Sequence, residues 1–164
     1  MRRSPDPIAR ELTGPAPHRL QFTVVPLAIV LAIAGLILLI VFLAVPALQR
    51  SSRNSQRKTD VGRIGSAAST IISNSNGSMA AITRAALVQE VGTTSYYDFS
   101  VAGNLVVNIE ASGGTHAAVT SKDVVDVEGN ASCNGTAAQY ASRQIAVLYA
   151  VESGSGTVSV CVDQ

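Results

Sequence analysis

The chain has 164 residues, a formal net charge of +1, 4% aromatic residues and no tryptophan. A near-neutral chain exerts no bulk attraction on nucleic acid, and so few aromatics build no base-stacking platform; no specific nucleic-acid partner is expected. Its two cysteines, Cys133 and Cys161, point to a disulfide if the region is exported, and to two free thiols if it is not.

Residues 1–21 carry four prolines and several charges, which forbid a long helix and offer no core. They read as a short cytoplasmic leader, its Arg2, Arg3, Arg10 and Arg19 favouring the inner side of a membrane. The flank after the next segment (Gln49, Arg50, Arg53) is equally basic. The cysteine pair therefore decides the orientation, with the C-terminal part outside.

Residues 22–48 read FTVVPLAIVLAIAGLILLIVFLAVPAL and contain no charge. A spanning helix needs roughly 20 apolar residues to cross a core about 30 Å thick, and residues 26–48 alone provide about 35 Å of helix. A buried helix of a soluble domain is the first alternative, but so small a protein cannot wrap both sides of such a helix. A cleaved secretory signal is the second, and its apolar core would run only about 7–15 residues. Pro26 suits a first helical turn, and Pro46 predicts a kink near the far end. Ala28, Ala32 and Gly35 form a small-residue track that admits a close neighbouring helix. Such residues are also simply common in membrane helices.

In residues 49–92, Val61, Ile64, Ala68, Ile71 and Ile72 recur at helical steps, with Arg57, Asp60, Arg63 and Ser69 assigned to the solvent face. The pattern predicts an amphipathic helix to about Ser73, weakened by Gly62 and Gly65. A short helix capped by Ser78 follows, with Met79, Ile82 and Leu87 inward. Residues 93–164 turn β-like. Strands are predicted at 104–110, 124–128, 144–151 and 157–162, with a further short one at 115–120 and a hairpin loop at 152–156. Val158, Val160 and Val162 share one face of the last strand and Cys161 the other. The expected fold is α+β: a long N-terminal helix packed on a small antiparallel sheet of about four strands. A bond from Cys133 to Cys161 is worth roughly 3.5 kcal/mol by loop-closure entropy.

No catalytic constellation is legible, so no enzyme is expected. His18 and His116 have no second likely metal ligand near them in sequence, the cysteines lack zinc-site spacing, and no phosphate loop or nucleophile elbow occurs. No cofactor or metal is expected. Asp123 and Asp126 read as a solvated turn. Asn76, Asn130 and Asn134 match the N-glycosylation pattern, which is cheap in a chain rich in asparagine, serine and threonine.

This layout resembles the bacterial type IV pilins and the related pseudopilins of type II secretion. The match begins at Phe22-Thr23-Val24-Val25 and runs through the apolar segment to SSRNSQRKTDV, ending at Val61, about a quarter of the chain. The resemblance implies that a prepilin peptidase cuts between Gln21 and Phe22 and N-methylates Phe22. It also implies storage in the cytoplasmic membrane, N-terminus in, followed by assembly of the apolar helices in the core of a cell-surface filament. Ala28, Ala32, Gly35 and Pro46 would lie in that core, Pro46 where pilin helices often bend or melt. The implied partners are copies of itself, other pilins, the peptidase, an inner-membrane assembly platform and the bilayer; the implied roles are attachment, twitching motility or DNA uptake. Two positions depart from the family: Gln21 stands where it usually has glycine, and Pro26 where it usually has glutamate. The absent carboxylate would otherwise pair with a neighbour's terminal amine in a low-dielectric core. The other expectation is an uncleaved single-pass protein whose sheet domain is a binding module outside the cell.

Overall fold

The computed structural model describes residues 21–110 and 114–164; the expected leader, apart from Gln21, lies outside them. The first helix, α1 (Gln21–Asn74), is 54 residues long. The chain divides into two compact units at Pro46, the second being Pro46–Gln164. In the first unit no charged residue interrupts the apolar run. All its large apolar side chains from Val24 on are exposed, from 40% at Val45 to 75% at Phe42. The helix assignment continues through Pro46.

In the second unit the rest of α1 shows the expected stripe: Val61, Ile64, Ala67 and Ala68 are buried, and Ile71 and Ile72 pack at its edge. Gly65 is buried on this side of the helix, where a Cβ would meet the side chain of the C-terminal residue Gln164. The helix closes at Asn76 and Gly77, both at positive φ, with the Gly77 amide donating to the Ile72 carbonyl at 2.9 Å. A 3-10 turn, Met79–Ala81, follows. Helix α2 (Arg84–Val91) is capped by Thr83, whose hydroxyl accepts from the Ala86 amide at 3.2 Å. Ser78, the expected cap, heads only the 3-10 turn and makes no side-chain capping bond. Ile82 and Leu87 do point inward.

Five strands complete the unit: β1 (Leu105–Ile109), β2 (Thr115–His116), β3 (Val125–Asn134), β4 (Ala137–Ser153) and β5 (Gly156–Asp163). The order is β1-β3-β4-β2, with β5 also paired to β4. The sheet is mixed rather than antiparallel, because β1 runs parallel to β3, Leu105 opposite Val125. The chain does not return from β1 by a hairpin. The connection between β1 and β3 is long enough for a crossover, and its described part includes β2, paired to β4. Leu105, Val125, Val127, Ile145, Val147 and Tyr149 face α1 and α2 in one core. Val160 and Val162 join that core, whereas Cys161 lies in a smaller cluster with Ala131, Ala138, Ala146 and Leu148.

β3 and β4 are longer than their apolar cores. Their register breaks where Asn130 alone stands against residues 141–144, and Asn130 and Arg143 both take positive φ. The Arg143 amide donates to the Asn130 side chain at 3.2 Å. This bulge bends both strands, so that their distal parts curl and β2 pairs with β4 at Ala138 and Gln139. The Cys133–Cys161 disulfide ties the curled end of β3 to β5 over a Cα separation of 5.6 Å. Replacing both cysteines by serine is expected to cost about 3.5 kcal/mol, read as a lowered urea midpoint relative to the oxidised protein.

Candidate functional site

Three places in the molecule carry features beyond packing. The first is the exposed surface of residues 24–45, which is apolar all round. Ala28, Ala32 and Gly35 lie on α1 at steps of four and three, and so share a face. All three are exposed, and a Cβ at Gly35 would meet nothing. The bond between Gln21 and Phe22 is the first of α1. Pro46 is exposed within the helix.

The second is a polar clasp between α1 and the end of β4. Arg53 grips Glu152 with two hydrogen bonds, Nε to Oε1 at 2.8 Å and Nη2 to Oε2 at 2.6 Å. Arg57 adds Nη2 to Oε1 at 2.8 Å and lies over the Tyr96 ring, 4.1 Å from its centroid. Asn54 acts as a strand edge. Its amide donates to the Glu152 carbonyl and its oxygen accepts from the Glu152 N–H, both at 2.8 Å. Asp60 accepts from the Ser95 and Tyr96 amides at 3.1 and 2.7 Å. Arg57 and Asp60 are thus fully buried, not on the solvent face where periodicity puts them. Period alone does not see partners that arrive from loop 92–98 and from β4.

The Arg53 guanidinium holds the Glu152 carboxyl down at about 2, with Arg57 helping and burial opposing. The sign follows from linkage. A carboxyl lowered on folding contributes stability above its unfolded value, and that contribution fades as pH falls from about 4.5 to about 2. Urea midpoints measured across that range are expected to fall more steeply for the native protein than for Glu152→Gln.

The third is a polar cluster on the sheet face opposite α1. Alternation puts Asn108 of β1 and Asp126 and Glu128 of β3 on one side, and Asn108 stands directly opposite Glu128 in the parallel register. Asn108 donates to Asp126 Oδ1 at 3.2 Å and to Glu128 Oε1 at 3.1 Å. Glu110 extends β1, its amide bonded to the Gly129 carbonyl at 2.8 Å. The curl of β4 then brings His116 of β2 over this face. His116 Nδ1 lies 2.8 Å from Glu128 Oε1, and Nε2 pairs with Glu110 Oε1. The Glu128 side chain is fully buried and its Oε2 has no hydrogen-bond partner. Burial, followed by repulsion from Asp126, pushes the Glu128 carboxyl up to about 8, and burial also raises Asp126. Asp126 therefore belongs to this cluster and not to a solvated turn with Asp123. Sequence reading left His116 without companions, because they stand on two other strands. The usable signal was two strands, LVVNIE and VVDVE, each with polar residues on one parity.

Asn76 and Asn134 are exposed. The Asn130 side chain is engaged within the bulge.

These features define a mixed α/β module continuous in sequence with a helix long and apolar enough to cross a membrane. No family model, no curated protein and no solved structure matches the chain.

Proposed function

We propose that this protein is a structural subunit of the type IV pilin class, held in the cytoplasmic membrane by residues 24–45 and assembled through them into a surface filament for attachment, motility or DNA uptake. One observation carries the reading. Large side chains of an uncharged helix more than 20 residues long are all exposed, and a surface of that kind needs lipid or other apolar helices around it. The α1 residues of the second unit use a different means, one stripe packed on a sheet, as a helix at an aqueous surface does. The disulfide supports an oxidising location for the sheet. The apolar helix serves first as anchor and then as assembly surface, with the Ala28–Ala32–Gly35 track allowing close approach.

A second reading is favoured by Gln21 and Pro26: an uncleaved single-pass protein whose sheet unit is a binding module. Mass spectrometry of the native protein separates the two. A chain starting at methylated Phe22, recovered from sheared surface filaments, supports the subunit. A chain retaining the residues before Phe22 and confined to membranes supports the second reading and contradicts the first.

A further inference from the structure

We propose that Glu110, His116 and Glu128 form a binding site for a divalent transition-metal ion, with zinc as the representative, placed on the sheet face away from α1. The inference is independent of filament assembly.

The three residues come from three successive parts of the chain: the end of β1, β2 and β3. Each offers one ligand atom, and these atoms lie within 4.8 Å of one another. The donor set is one imidazole and two carboxylates. Imidazole nitrogen suits zinc and other first-row metals, whereas calcium and magnesium favour oxygen alone. Three protein ligands with a further position left to water is a common zinc arrangement.

A cluster of acids does not by itself make a site. The independent observation is the Glu128 carboxylate, which is fully buried with Oε2 unpartnered. A buried polar oxygen with no partner is costly whether or not its carboxyl is ionised, and native structures rarely keep one without an ion, water or functional reason. Charge balance points the same way. Glu110, Asp126 and Glu128 bring three carboxyls together, and among the described residues their only ion pairs are with His116. Among the described residues no lysine or arginine pairs with them, in contrast with Glu152, which has two arginines. A divalent cation supplies the missing positive charge.

Supporting contacts are also present. His116 reaches a carboxylate with each ring nitrogen. A metal on one nitrogen leaves the other N–H to donate to the carboxylate on its side, which is how metal-bound histidines are oriented. Glu128 has an oxygen for each task, since Oε1 already accepts from Asn108 at 3.1 Å while Oε2 is unpaired. Asn108 holds both Asp126 and Glu128 in place.

The test uses the full chain in detergent, carrying His18→Gln so that His116 is the sole histidine, and stripped with a chelator. Zinc chloride is titrated calorimetrically, with calcium chloride as comparison. The expected result is one zinc bound per chain, weaker by at least about tenfold in His116→Asn and in Glu110→Gln, with calcium binding weaker than zinc. Circular dichroism establishes whether each variant is folded. If neither folds, the His116 imidazole resonances of the parent protein decide: a shift complete at one equivalent of zinc supports the site. Unmoved resonances, no zinc bound by the folded parent, or zinc affinity unchanged in folded His116→Asn overturns it.

Discussion

Replacing Leu36 and Leu39 together by aspartate is expected to transfer the protein from the membrane fraction to the soluble or aggregated fraction. Both side chains are exposed, at 59% and 58%, in the middle of the uncharged segment. Each aspartate near the centre of a spanning helix costs about 2.5–3.5 kcal/mol on the insertion scale, so the pair removes about 5–7 kcal/mol. The control, Leu36→Val with Leu39→Val, keeps the segment apolar and should remain in the membrane. If the aspartate pair left fractionation unchanged, the exposed helix would not be what holds the protein there.

The second large effect is expected at the clasp. Glu152→Ala removes the partner of Arg53 and Arg57 together. Arg53 is partly exposed, with 41% of its side chain accessible, and can turn to solvent, but the Arg57 side chain is fully buried. Taking one partner from a buried ion pair typically costs 3–5 kcal/mol because the other charge stays behind. Removing both charges with apolar residues of similar volume, Arg57→Met with Glu152→Leu, should be much milder for the same reason. Urea denaturation of the two variants checks this. Equal losses in the single and the double variant would show that packing, and not the stranded charge, sets the cost.

Much of the fold is written in local pattern. The uncharged run of residues 22–48 and the Val61–Ile64–Ala68 stripe announce α1, and the alternation around Val160 assigns the faces of β5. What stayed hidden depends on distance. The parallel pairing of β1 with β3 cannot be read from the alternation of either strand, and nothing at 115–120 says that the strand expected there pairs with β4. The distal half of β3 contains Gly129, Asn130 and Asn134, and the turn into β4 begins at Gly135, so this stretch reads as loop. At Gly129 the backbone runs close to its neighbours, and a Cβ there would push the Ile109 side-chain tip aside. Asn130 sits in the bulge. Arg57 and Asp60 look like solvated charges until Glu152, Tyr96 and the Ser95 amide arrive from far along the chain. The cluster around His116 was least legible, because its members meet only once the sheet has curled.

The resemblance to pilins rests on residues 22–61 and on layout, and the physics behind it is narrower than the family name. It requires only that residues 24–45 be covered by lipid or by other apolar helices. The most direct measurement is fractionation of the native protein from its own cells, followed by alkaline extraction and by shearing of the surface. The account predicts that chains containing residues 24–45 are found only in alkali-resistant membranes or in sheared fibres. Monomeric protein free in the soluble fraction, with that segment intact, would contradict it.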